Sequence, residues 1–268
     1  MLHLGSIILD GTPRVIVAVR DDAPLDELAA VMAAGVELVE LRIDQFQSRD
    51  PAYVVGQLER LAAYPRLGTI RCASEGGAWQ GTEAEREALF RGILPHVEAI
   101  DVELSAKDML PGLIEAAHAD GKLVIGSYHD FQGTPIPKRL AGAANDGKLL
   151  GVDIVKVAVQ CNSLEDVQVL AQFTGQHADK NLITIGMGAH GMLTRIFFPA
   201  IGSLMTYTFL GEPTAPGQLN CHDTLEYLKN FYPDFPGQEA ESAAAEPLSK
   251  PELHEWPRPH PKQIREAH

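Results

Sequence analysis

Eight short runs rich in β-branched residues recur along this chain, each followed by a stretch of helical character. They are Arg14–Arg20, Val36–Ile43, Leu67–Cys72 and Ala99–Leu104, then Lys122–His129, Val152–Val159, Leu182–Met187 and Ser203–Leu210. Strict alternation of this kind builds parallel βα units, because a strand can return parallel to its neighbour only through a crossover. Eight units favour closure into a barrel over an open sheet. The sequence thus predicts an α/β fold, an eight-stranded parallel (β/α)8 TIM-type barrel. Its 268 residues, 45% of them hydrophobic, suffice for one such core. An initial hairpin with Asp10-Gly11 at its turn is expected to close the bottom of the barrel.

Local signals mark the helix ends. Asp50-Pro51 and Ser105 read as N-caps, and Gly35 and Gly121 as the left-handed residues that follow a last turn. The segment LDELAAVMAAG follows the first strand and SLEDVQVLAQFTGQH the sixth. From 236 to 268 the chain is rich in Pro, Glu, Ala and His and has no apolar period. The expected organisation is therefore a barrel domain over residues 1–235 and a flexible tail over 236–268.

A formal net charge of −14 argues against nucleic acid and anionic membrane as general partners. It leaves room for a small anionic substrate where positive charge is gathered locally. No apolar run is long enough to span a bilayer, and the first residues lack the pattern of a secretory signal. Three cysteines, Cys72, Cys161 and Cys221, have no metal-ligand spacing and read as free thiols of a cytoplasmic protein.

Barrel enzymes carry their chemistry at the C-terminal ends of the strands and in the loops that follow. Several polar residues fall there without a packing reason. Lys156, in VDIVKVAV, shares a face with Ile154 and Ala158. Burial and nearby arginines would favour the neutral amine that imine formation needs. An ion pair with a barrel carboxylate is the plainer alternative. His129 ends its strand and suits a general acid/base, although a lone histidine is more often structural. Glu75, on the glycine-flanked loop CASEGGAW, could reach that imidazole and fix its tautomer. Arg42 and Arg71 sit on adjacent strands, where a buried cation needs an anion; Glu40, two residues before Arg42, could supply it. Arg195, after the glycine-rich turn in MGAHGMLTR, suits a bidentate carboxylate clamp, and TAPGQ could bring Gln218 to the same ligand.

Taken together the strings VELVELRID, TIRCASEGG, IDVEL, SYHDFQGTP, DIVKVAV, ITIGMGAHGMLTR and TAPGQ resemble the type I 3-dehydroquinate dehydratases, in family order to about residue 230. The resemblance implies an eight-fold β/α barrel, a homodimer, and no metal or organic cofactor. It implies elimination of water from 3-dehydroquinate, giving 3-dehydroshikimate, through an imine in the shikimate pathway. By position Lys156 matches the imine lysine, His129 the acid/base and Glu75 the acid that orients it. Glu40, Arg42 and Arg71 match groups around the substrate ring and hydroxyls. Arg195 with Gln218 matches the carboxylate side, and Met187 falls on the Met-Gly pair beside the site. Thr214 stands where the family usually has serine, Ala18 where serine is frequent, and Gln160-Cys161 where Met-Pro is common. These departures leave room for a divergent paralogue with a roomier or slower site, and the competing readings are another imine-forming lyase or aldolase on the same barrel, and a binding or regulatory paralogue with little turnover.

Overall fold

The structure is a computed structural model and describes residues 2–236. Two short strands, β1 (Leu2–Leu4) and β2 (Ile7–Leu9), open the chain. The first half of the barrel then runs β3 (Arg14–Val19), α1 (Leu25–Ala33), β4 (Leu38–Arg42), α2 (Pro51–Arg60), β5 (Arg66–Thr69) and α3 (Glu83–Ile93). It continues with β6 (Ala99–Glu103), α4 (Leu110–Ala119), β7 (Leu123–Asp130), α5 (Pro137–Leu150), β8 (Ile154–Gln160) and α6 (Leu164–Gln176). The last units are β9 (Leu182–Met187) with the short helices α7 (Gly188–Gly191) and α8 (Thr194–Phe197), then β10 (Met205–Phe209) with α9 (Cys221–Phe231).

Strands β10, β3, β4, β5, β6, β7, β8 and β9 pair in that order, all parallel. The two ends meet where the Leu204 amide donates to the Leu182 carbonyl at 2.8 Å, which brings the sheet to a nearly closed barrel. Because side chains alternate along a strand, each strand feeds two cores. Outward residues such as Val155, Val157 and Val159 pack against the helices. Inward residues such as Ile16, Leu38, Leu67, Ile125 and Ile154 fill the lower barrel, and Leu4, Ile7 and Leu9 of the hairpin close it from below.

The hairpin turns at Gly5-Ser6, not at Asp10-Gly11. Gly5 adopts φ +57°, the left-handed conformation that a two-residue hairpin turn demands. Asp10 instead accepts from the Thr12 amide at 3.1 Å and pairs with Arg14, folding the link from the hairpin into β3. Asp50 caps α2 as expected, accepting from the amides of Ala52 and Tyr53, and Gly35 and Gly121 follow α1 and α4 at positive φ. Ser105 caps nothing, since α4 starts only at Leu110. The segment read as a loop after Met187 is helical, and Arg195 lies on α8. The tail expected over 236–268 falls, from residue 237 onward, outside the described residues.

Candidate active site

The upper barrel changes character within one pleat. On β4 the inward series runs Leu38, Glu40, Arg42; on β6 it runs Ala99, Asp101, Glu103; on β8 it runs Ile154, Lys156, Ala158. The same two-residue step that fills the lower core thus carries charge into a cavity of about 520 Å³ at the C-terminal ends of the strands. All ten residues singled out above line it.

Lys156 is buried and its Nζ donates to Asp101 Oδ2 at 2.9 Å, with Glu40 Oε1 at 3.8 Å. The plainer expectation for this lysine, an ion pair with a barrel carboxylate, therefore holds geometrically, and the charged groups at its Nζ are the carboxylates of Asp101 and Glu40, where arginines were expected. The amine also opens on the cavity, so the pairing does not remove it from a ligand's reach. Asp101 is held from the other side by Arg71 at 2.6 Å and by the Ser127 hydroxyl at 2.6 Å. Burial alone would raise the Asp101 pKa, but Arg71 and Lys156 beside it hold the carboxyl well below the usual range. Arg71 also reaches Glu103, which Arg86 anchors in turn. For Arg71, burial works against the charge, and Asp101 and Glu103 more than offset it, raising its pKa.

Glu40 and Arg42 do share a face, but they do not pair. Arg42 makes a two-pronged bond to Asp44, and Glu40 accepts from the Thr69 hydroxyl at 2.9 Å. Asp44 is preferred because the 3₁₀ turn that starts at Ile43, directly after β4, brings it within reach of both guanidinium prongs.

His129, near the end of β7, meets Glu75 through Nδ1 at 3.0 Å, and its own backbone amide donates to the same Oε2 at 2.9 Å. Glu75 sits on a 3₁₀ turn closed by Gly76 at φ +78°. The Ser105 hydroxyl donates to its second oxygen at 2.7 Å, which is why Ser105 is not a helix cap. Burial pushes the Glu75 carboxyl up, and the Ser105 hydroxyl and Arg71 pull it back. Burial, then Arg71 and Lys156, push the His129 imidazole well below its ordinary value, so it is neutral at neutral pH. With Nδ1 tied to a carboxylate, Nε2 is the nitrogen left for chemistry.

Arg195 stands apart from the other guanidiniums. Its donors go to the backbone carbonyls of Gly217 at 2.7 Å, Tyr207 at 3.3 Å and Pro216 at 3.4 Å. Among the described residues no carboxylate pairs with it, and burial lowers its pKa to about 10. A buried cation without a counter-ion is costly, and a carboxylate ligand would relieve that cost. Gln218 folds the TAPGQ loop by accepting from the amides of Thr214 and Ala215, so much of its amide serves the loop itself. Thr214 contributes its hydroxyl to the same knot. Met187 lies on the cavity wall, whereas Ala18 does not line it. Gln160, at the end of β8, packs on Gly188, where an added Cβ would lie 2.1 Å from the Gln160 amide nitrogen.

Sequence reasoning passed over Asp101, Glu103, Ser127 and Tyr207. The first two were visible as charges at alternate positions of a strand whose other members, Ala99, Ile100 and Val102, are apolar. Tyr207 gave no such signal, since an aromatic in MTYTF reads as core. Its ring lies beneath Lys156, with Nζ 4.1 Å from the ring centroid. Among the described residues, one trio brings metal-ligand atoms together, His222, Asp223 and Glu226 on α9, and it has no part in the cavity.

A family model described as Type I 3-dehydroquinase matches residues 15–234. A 3-dehydroquinate dehydratase of Methanococcoides burtonii is 33% identical over 233 residues, covering 85% of this chain and 99% of the relative. That of Methanosarcina acetivorans is 35% identical over 240 residues, with the same coverage. The crystal structure of the Aquifex aeolicus 3-dehydroquinate dehydratase superimposes with a TM-score of 0.74 at 33% identity, over 82% of this chain and 99% of that one. For the Geobacillus kaustophilus enzyme the TM-score is 0.75 at 29% identity, over 81% and 90%. A match of this extent, on a barrel whose charged end is built in the same strings, makes this chain a member of the type I 3-dehydroquinase family.

Proposed function

We propose that this chain is a 3-dehydroquinate dehydratase that works through an imine at Lys156. One observation carries the reading. Lys156 and a neutral His129 line the same cavity as Arg195, a buried guanidinium that no carboxylate pairs with among the described residues. Such a cavity suits a small ring that presents a ketone at one end and a carboxylate at the other.

The steps follow from the groups present. Lys156, as the neutral amine, adds to the ketone carbon, and the carbonyl oxygen takes one proton from that nitrogen and one from solvent and leaves as water, giving an iminium. The C=N⁺ bond draws electrons from the adjacent C–H, and His129 Nε2 takes that proton. The electron pair moves in to form the C=C bond as the hydroxyl departs, taking a proton from the imidazolium and leaving as a second water. Water then adds to the iminium and returns the free lysine with the unsaturated ketone. Glu75 orients His129. Glu40 and Arg42 face the ring hydroxyls. Arg195 holds the carboxylate with Gln218 and Thr214, and Met187 packs against the ring. Arg71 lines the cavity beside them, with three of its five donors engaged by Glu103, Ser127 and Asp101. Each step is supplied by side chains of the chain itself, so full activity is expected after exhaustive EDTA treatment.

A cytoplasmic homodimer is part of the same reading. Leu193, Phe197 and Phe231 are exposed apolar side chains on the adjacent helices α8 and α9 and their approach, a surface suited to a second subunit. No described helix is long and apolar enough to cross a membrane.

Borohydride tests the central claim, because it reduces an imine to a stable amine. Enzyme treated with 3-dehydroquinate and borohydride is expected to lose activity and to gain ligand mass on the peptide carrying Lys156. Lys156→Ala should show neither trapping nor turnover. His129→Ala should still trap, while turnover falls about 10²–10⁴-fold. Label on another lysine, or near-normal turnover without His129, would overturn the assignment.

A further inference from the structure

Among the described residues the Tyr207 ring is the one aromatic face presented to Lys156, and the proposed chemistry above gives it no task. It is 3% exposed, lines the cavity, and stands with Met205 on the inward face of β10. Its centroid lies 4.1 Å from Lys156 Nζ, well inside the range at which a ring face attracts a cation. Its hydroxyl makes no hydrogen bond to any described group, although it is buried. A site that needed the phenol oxygen would partner it. What the geometry uses is the ring.

The imine makes that ring matter. Lysine as an ammonium offers three N–H donors, and here one of them goes to Asp101. The iminium keeps the positive charge but has a single N–H left. Hydrogen bonding to Asp101 and the approach of Glu40 can therefore follow the nitrogen only in part. A ring face responds to charge and needs no hydrogen. It also presents a flat surface to an iminium group, which is itself planar.

We propose that Tyr207 is a further catalytic residue, whose ring face stabilises the positive charge that stays on Lys156 Nζ throughout the covalent stage. This rests on the imine reading and deepens it. The ring takes no proton and forms no bond. It lowers the energy of the iminium relative to the free ketone and amine, and so raises the fraction of enzyme held covalently.

Shape and charge can be separated without emptying the site. Tyr207→Phe keeps the ring and removes only the unpartnered hydroxyl, so trapping with 3-dehydroquinate and borohydride should match the parent chain and thermal stability should not fall. Phenylalanine carrying one, two or three ring fluorines at position 207 drains the negative face stepwise at nearly constant shape. Covalent trapping at low substrate and kcat should then fall with each fluorine, to a total on the order of 2- to 30-fold. Tyr207→Leu should give the full loss, with Tm recorded to separate misfolding from lost charge stabilisation. Trapping that is insensitive to the fluorine count would overturn this role and leave the imine at Lys156 standing. Loss of activity in Tyr207→Phe would overturn it in favour of the hydroxyl. Absence of any trapping in the parent chain would instead sink the imine reading itself.

Discussion

Lys156 meets two opposed demands, since a nucleophile must shed its proton while a buried strand position needs a compensated charge. Asp101 supplies the compensation and is itself fixed by Arg71 and Ser127, so removing it would leave Lys156 with Glu40 alone, at 3.8 Å, and Arg71 with Glu103 alone. Asp101→Asn, close in shape, is expected to cost about 3–5 kcal/mol of stability; a denaturant midpoint that barely moves would show that the network holds nothing. The depressed pKa of His129 fixes a sign as well. Between about pH 6.5, the ordinary histidine value, and the lower folded pKa, the unfolded chain binds a proton that the folded one does not. The stability contributed by neutral His129 is present above pH 6.5 and is lost as pH falls through that window, and His129→Asn should flatten the loss. For the same reason kcat/KM should stay level from pH 8 to below 6.5, and an acid limb centred above 6.5 would contradict a buried neutral base. Residue identity was legible where a charge broke an apolar strand, as at Lys156 and Arg42. The partner of each was not, because Arg42 choosing Asp44 over Glu40 depends on where a 3₁₀ turn begins.

At the scale of elements the eight barrel strands lie within two or three residues of the β-branched runs, because a strand inside a barrel must be apolar on its outer face along its whole length. Turns were harder. Asp10-Gly11 has the better hairpin composition, yet Gly5 makes the turn, since Leu2–Leu4 and Ile7–Leu9 have just the length to cover the barrel floor. The helical form of the stretch after β9 was also not legible, being too short for any period. It matters because α8 carries Arg195 against the loop after β10, and the Gly188 amide donates to Pro216 in that loop. Gly217, at φ +70°, has its missing Cβ 2.3 Å from the Gly188 carbonyl oxygen. Gly217→Ala must therefore part the two loops. It should raise KM while leaving borohydride trapping at saturating substrate intact, at a stability cost of about 1–3 kcal/mol. Arg195→Ala should weaken substrate binding by roughly 2–5 kcal/mol, with lysine rescuing only in part. An unchanged KM in that variant would mean that another cation holds the carboxylate.

For the molecule as a whole, a net charge of −14 is compatible with the proposed binding of an anion, because the acids that line the cavity are paired and Arg195 is not. Glu40, Asp101 and Glu103 lie on β4 and β6 opposite their own cations, while Arg195 follows β9 with none. Association of a carboxylate substrate is thus a local effect, worked against by the global field, so moderate salt should speed capture or leave it unchanged. The extent of the folding unit is the remaining question at this scale. The described residues, 2–236, fall in one compact unit, and its outer core reaches nearly to their end. Phe235 is 2% exposed, packs with Leu225 and Leu228 of α9 in that core, and lies 3.5 Å from the place a Cβ would occupy on Gly35. Tyr232 donates to the Ile196 carbonyl at 2.6 Å, tying the same segment to α8 and hence to Arg195. We propose that the barrel domain ends just after Phe235. A chain stopped after Gly237 should match the full chain in kcat, KM and Tm, because every core contact named here is retained. Stopping after Phe231 should cost on the order of 3–5 kcal/mol, the scale for losing a buried phenylalanine, and should raise KM as α8 loosens. Phe235→Ala in the full-length chain isolates the packing share, and Tyr232→Phe isolates the tie to α8. If the chain ending at Gly237 loses more than about 2 kcal/mol, which marks core-like contacts, the barrel needs residues beyond the boundary drawn here.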